Sequence, residues 1–197
     1  MTFMRHRGRT NNMNRTNNQI NLIYQLQTTR KTSPIKRETP APIDDKPKMK
    51  WGEPVWFLFH TLAEKVKQDQ FPTLKEGIMN IIRSICNSLP CPICAEHATQ
   101  YMKGIQDNSI RTKEDLKLML FNFHNEVNKR KGYDVFPLNE LALKYKKAVT
   151  IKVINYFITA YKEKSRNIQM IATEMNRDRV IRNIRQWLNV NLIHFDT

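Results

Sequence analysis

Trp51-Gly52-Glu53-Pro54-Val55-Trp56-Phe57-Leu58-Phe59-His60 marks the point where the chain changes character. From Trp51 onward, aromatic and aliphatic residues recur at helical spacing, and no stretch alternates for long as a half-buried strand does. The core is therefore expected to be all-α. Pro54 is tolerated in an opening turn, where no intrahelical donor is needed, so the pattern predicts a first helix over residues 54–68, broken by Phe71-Pro72-Thr73. Ile78, Ile81, Ile82, Ile85 and Leu89 form the apolar stripe of a second helix that Pro90 stops. A third is expected over residues 91–102, ending at Gly104 in a left-handed cap. Thr112 and Asp115 begin a fourth, which carries Leu116, Met119, Leu120, Phe123 and Val127. Tyr145, Val149, Val153, Tyr156, Phe157 and Ala160 read as the stripe of a fifth. About five helices fit a compact bundle.

On either side of this core the composition shifts. The 197-residue chain carries 33 Lys+Arg against 18 Asp+Glu, a formal charge of +15, which suggests contact with nucleic acid, acidic proteins or an anionic surface. Residues 1–48 are basic, rich in Asn, Thr and Pro, and poor in periodic apolar residues, and are expected to be a disordered arm. Residues 49–164 form the expected domain. Residues 165–197 read as a basic amphipathic helical extension, in which Val180, Ile181, Ile184, Trp187 and Leu188 share a face; this face fits a partner and the core equally well. No apolar run reaches the roughly 20 residues of a transmembrane helix, and no secretory signal is visible. The acid-poor start is compatible with mitochondrial targeting, but its amphipathic pattern is weak.

All three cysteines, Cys86, Cys91 and Cys94, fall within nine residues, which is one local site rather than a disulfide framework. Leu89-Pro90-Cys91-Pro92-Ile93-Cys94 puts two thiols three apart where a helix opens, within reach of disulfide geometry. Unpaired N–H groups at the helix start favour a thiolate, making Cys91 the better thiol for exchange with substrate. The motif alone fits a zinc site as well, with Cys86, Cys91, Cys94 and His97 as ligands. Two other segments bear on that choice. Gly52, Trp56 and His60 lie four apart along one helical stripe. In Phe121-Asn122-Phe123-His124-Asn125-Glu126-Val127-Asn128-Lys129-Arg130-Lys131, the ring of His124, the amide of Asn128 and the cation of Lys131 share a helix face. Such a face suits an adenine ring beside a diphosphate.

Together the three segments resemble the Erv/ALR family of sulfhydryl oxidases, which shows a Trp-x-x-x-His element, a Cys-x-x-Cys pair and a His-Asn-x-Val-Asn element in this order. The resemblance covers about residues 51–162, and the compact Leu-Pro-Cys-Pro-x-Cys form is most like the thiol oxidases of large cytoplasmic DNA viruses. It implies an FAD held in a helical bundle, usually a homodimer, with Cys91 and Cys94 against the flavin. Gly52, Trp56, His60, His124, Asn125, Val127 and Asn128 match positions that contact FAD in the family. Tyr145 stands where many members have a flavin-contacting Trp. Lys129 and Arg130 supply the basic character that follows the motif, while Lys131 replaces a usual Leu.

Two departures have consequences. Many members carry a second disulfide flanking the His-Asn element; here Phe121 and Leu138 stand in its place, so apolar packing is expected to do that work. Many also carry a shuttle cysteine pair in a terminal arm, but both arms here lack cysteine. Substrate thiols must then reach Cys91 directly or through a separate thioredoxin-like carrier. The expected reaction oxidises dithiols through Cys91/Cys94 and FAD to oxygen, giving hydrogen peroxide, with no metal. The other reading is a nonenzymatic zinc-stabilised module whose basic arms bind nucleic acid or protein. A viral source would place the protein in host cytoplasm or virion, with the mitochondrial intermembrane space as the alternative.

Overall fold

The central element of the computed structural model is helix α1, Gly52–Lys65, with Glu53 in its first turn and Lys65 in its last, each charge complementing the helix dipole. The structure describes residues 50–162 and 171–197; the expected basic arm at 1–48 lies outside them. α2 (Phe71–Asn87) and α3 (Pro92–Lys103) follow, then a 3-10 turn at Asp107–Ser109. α4 (Lys113–Lys131), α5 (Leu138–Lys146), α6 (Thr150–Tyr161) and α7 (Ile171–Asn191) complete the set. All seven long elements among the described residues are helices. α1 packs against α4, α5 and α6, α2 packs against α3, and α7 lies on α2.

Local chemistry explains the boundaries and three differences from the sequence reading. Phe71 and Pro72 open α2 instead of breaking α1, because proline is compatible with the first helical turn. Gly104 ends α3 in a right-handed conformation, φ −72°; the left-handed cap is Gly132 after α4, φ 71°. The stripe from Tyr145 to Ala160 divides between two helices, α5 and α6, with residues 147–149 between them. α4 begins with a capping box in which the Thr112 side chain accepts from the Asp115 N–H and the Asp115 carboxylate accepts from the Thr112 N–H.

Most of the apolar stripe residues read from the sequence are buried, Ile78, Ile82, Ile85, Leu116, Leu120 and Phe157 fully, as are Leu58 and Leu62 of α1, but Val149 and Tyr156 of the expected fifth stripe are 42% and 48% exposed. The C-terminal helix belongs to this core. Val180, Ile181, Ile184 and Leu188 are buried, and the Trp187 ring fills the space above Gly77 on α2. The following tail is tied to the end of α1. The Lys67 N–H donates to the His194 carbonyl (2.9 Å) and the Asp196 N–H to the Lys65 carbonyl (2.7 Å), while the Thr150 hydroxyl donates to the Asp196 carbonyl (2.7 Å).

Candidate active site

Cys91 is the N-cap of α3, in extended backbone conformation. Its Sγ accepts a hydrogen bond from the Cys94 N–H at 3.3 Å, as a capping oxygen would. Both thiols are half-buried and free. The preceding turn is anchored from α6. The buried Tyr161 hydroxyl donates to the Ser88 carbonyl (2.7 Å), with the Ile85 carbonyl a second acceptor at 3.1 Å and the Ser88 hydroxyl at 3.0 Å. This fixes the end of α2 three residues before Cys91.

Cys94 lines a cavity of about 50 Å³ together with Cys86, Trp56, Phe123, Arg130 and Lys131. Burial, then the Cys91 thiol hydrogen-bonded to it and the charge of Cys91, push the Cys94 thiol up to about 11; Lys131 and Arg130 pull it back down. Cys86 is fully buried, and burial pushes its thiol up to about 12. The four proposed zinc ligands do not converge. Cys86 faces the core and His97 is exposed, and no group of three or more His, Cys, Asp or Glu among the described residues could hold a metal ion.

Next to the thiol cavity lies one of about 950 Å³, near the top of the range for small-molecule sites. Gly52, Trp56, Val127 and Lys131 line both. Its flat surfaces come from Trp56 and His124, which stack at 4.1 Å between ring centroids and 10° between planes. His124, Asn128 and Tyr145 also line it, as do Lys50, Lys144 and Lys162.

Behind this surface, buried His60 stacks on Tyr145 (4.7 Å, 20°) and its Nε2 lies 3.1 Å from His124 Nδ1, a hydrogen bond. Burial is the largest cause of lowered pKa in both, with Lys144 and, for His60, His124 contributing. His60 falls to about 3 and His124 to about 4. Both rings are therefore neutral near pH 7, and one donates to the other.

The remaining residues expected to contact cofactor sit elsewhere. Asn125 lines neither cavity: its side-chain amide donates to the Phe136 carbonyl (3.1 Å) and its carbonyl accepts from the Phe136 N–H (2.8 Å). That pair of hydrogen bonds fastens the α4–α5 connection, where packing of Phe121 and Leu138 was expected. Leu138 is 58% exposed, so the polar clamp and not apolar packing serves there. Asn128 donates to the Asp134 carbonyl (3.3 Å) in the same connection. Arg130 lines only the thiol cavity, and Lys129 is exposed and lines neither. Sequence reasoning passed over Phe57, on α1 beside the Gly52, Trp56 and His60 stripe, and Phe136, before α5, as lining residues, and also Lys144 and Tyr156, because the wall formed by α5 and α6 carries no contiguous motif.

The chemistry fits a flavin dinucleotide. Flat aromatic surfaces suit its rings, four lysines against one carboxylate, Glu53, suit its diphosphate, and the volume is adequate. The arrangement sets a dithiol beside an aromatic, cationic cavity, which is the equipment of a thiol-oxidising flavoprotein.

Residues 53–147 match the Erv1/Alr family. A protein named FAD-linked sulfhydryl oxidase from African swine fever virus is 31% identical over 108 residues, 54% of this chain and 87% of the viral one. A protein of Invertebrate iridescent virus 6 is 28% identical over 93 residues, covering 44% of this chain and 84% of its own. The protein named FAD-linked sulfhydryl oxidase ERV1 of Arabidopsis thaliana is 24% identical over 114 residues, 58% of each chain. The chain belongs to the Erv1/Alr family.

Proposed function

We propose that Cys91 and Cys94 are the redox-active pair of an FAD-dependent thiol oxidase and that FAD occupies the 950 Å³ cavity. The enzyme class follows from family membership: 2 R–SH and O2 give R–S–S–R and H2O2. The observation that carries the residue assignment is the shared wall of Gly52, Trp56, Val127 and Lys131 between the Cys94 cavity and the aromatic one.

Trp56 and His124 offer flat faces, Asn128 an amide, and Lys50, Lys144 and Lys162 cations, with Lys131 on the wall shared with the thiol cavity. His60 and Asn125 act as supports: His60 holds the ring of His124 from behind, with Tyr145, itself a lining residue, stacked on His60, and Asn125 holds the α4–α5 connection. FAD, when bound, accepts the electron pair from the thiols and delivers it to oxygen. The thiol chemistry belongs to the chain. In the oxidised pair, a substrate thiolate attacks Cys91 Sγ, the S–S bond breaks, and Cys94 leaves as thiolate. A second substrate thiolate then attacks the mixed disulfide, releasing oxidised substrate and the Cys91 thiolate. That Cys94 lines the inner cavity and Cys91 does not supports this division.

Substrates are protein dithiols, reached directly or through a thioredoxin-like carrier, and the family resemblance adds a homodimer. The viral relatives favour host cytoplasm or virion. No helix among the described residues is long and apolar enough to cross a membrane. The deciding experiment is the absorption spectrum and metal content of purified protein. A yellow protein with stoichiometric FAD that consumes oxygen with a small dithiol is expected; a colourless, folded, zinc-loaded one would sink the reading.

A further inference from the structure

Of the four residues that line both cavities, Gly52, Trp56, Val127 and Lys131, Lys131 carries the charge. It is half-buried in the last turn of α4, and no ion pair joins it to a carboxylate among the described residues. Its cation is thus available to whatever negative charge appears at that wall. Thiol exchange creates one there: when Cys91 is attacked, the electron pair of the broken S–S bond stays on Cys94 Sγ. A sulfur anion in a confined apolar cavity is costly without a nearby cation.

We propose that Lys131 is the electrostatic partner of the Cys94 thiolate, stabilising it as leaving group and holding it charged at the wall shared with the cofactor cavity. This rests on the functional reading above but concerns a distinct event. The step is substrate–S⁻ plus Cys91–S–S–Cys94 giving substrate–S–S–Cys91 plus Cys94–S⁻, so electrons and charge balance with no proton transferred. Lys131 does not exchange a proton; it lowers the energy of the product. Arg130 faces the same small cavity but is exposed and lines the larger one not at all, so solvent screens it more. The directions of influence on the thiol agree: Lys131 and then Arg130 favour the charged form against burial.

The test uses full-length protein carrying Cys86→Ser and Cys91→Ser, which leaves Cys94 as the one thiol, and follows its alkylation by iodoacetamide across pH. Lys131→Leu is expected to move the profile to higher pH and to slow alkylation roughly threefold or more at a fixed pH below the transition. Lys131→Arg is expected to keep the parent profile and Arg130→Leu to move it less than Lys131→Leu. Unchanged titration in Lys131→Leu, or a larger shift in Arg130→Leu, overturns the proposal. Should Lys131→Leu fail to fold by circular dichroism, Lys131→Gln reads the same loss of charge in a polar side chain, with the same two outcomes. Alkylation needs no flavin. Failure of the parent protein to retain FAD therefore overturns the functional reading, while the alkylation profile still decides the role of Lys131.

Discussion

A Cβ on Gly77 would lie 2.4 Å from Nε1 of Trp187, and 2.6 and 2.7 Å from two further atoms of the same ring. α7 is thereby seated on α2 through a side chain that only glycine admits. In an exposed helix, Gly→Ala gains about 1 kcal/mol. Here Gly77→Ala is expected to destabilise by roughly 1–3 kcal/mol, because the indole must leave its site. Urea unfolding of the single variant and of Gly77→Ala with Trp187→Leu gives the check. The pair should recover part of the loss, and a Gly77→Ala midpoint above the parent's would remove this account.

Gly52 offers the converse case. A Cβ there would meet nothing within 4 Å, yet the residue lines both cavities. Gly52→Ala should leave stability unchanged or raise it by up to about 1 kcal/mol, while FAD retained per chain falls. Full FAD occupancy at wild-type affinity in this variant would mean that the glycine does not serve cofactor approach.

The neighbouring imidazoles make a pH prediction. Folded His60 titrates at about 3 and His124 at about 4, against an ordinary 6.5, so between these values the unfolded chain binds protons that the folded one does not. Their contribution to stability is present above about pH 6.5 and is lost as pH falls toward 4 and 3. Urea midpoints should hold steady above about pH 7 and drop below about pH 6. The variant with both histidines changed to Gln should show a shallower drop, and an equally steep one would assign the acid sensitivity to other groups.

Within the thiol cluster, Cys91→Ser should abolish dithiol turnover yet leave Cys94 able to give a long-wavelength charge-transfer absorption with bound FAD. Seeing that band in Cys94→Ser instead reverses the assignment. Cys86→Ser should keep most turnover, since a thiol held up to about 12 by burial is a poor nucleophile at neutral pH.

How much of this was legible in the sequence depended on whether the information was local. The stripes on α2 and α4, the Thr112–Asp115 cap and the Cys91 helix start all lie within a turn or two, where spacing speaks for geometry. The connection between α4 and α5 did not. Nothing in the sequence marks Asn125 as a clamp for Phe136, eleven residues away, and the family resemblance alone gave it a cofactor contact. α7 was ambiguous for a different reason: its exposed arginines gave it the look of an appendage, whereas its apolar face and the gap above Gly77 decide its position. Lys144 and Tyr156 were passed over because tertiary packing alone brings α5 and α6 to the cavity.

The Tyr161 hydroxyl is the one side-chain contact that joins α6 to the turn before the cysteine pair among the bonds described above. It is fully buried and bonded to the carbonyls of Ser88 and Ile85, and burial raises its pKa, so it stays protonated and able to donate. Tyr161→Phe preserves the ring, including its stacking on Phe157 at 4.9 Å, and removes only the donor. The buried acceptors are then left short of a partner, at a cost of about 1–3 kcal/mol. Because Ser88 leads directly through Leu89 and Pro90 to Cys91, loosening that turn should also blur the seating of the thiol at the start of α3. The expected outcome is a lower urea midpoint with an unchanged slope, retained FAD, and reduced dithiol turnover. Tyr161→Phe with wild-type midpoint and turnover would show that the helix packing alone holds the turn; loss of FAD together with turnover would show that α6 itself had moved away from the cavity it lines through Tyr156 and Ala160.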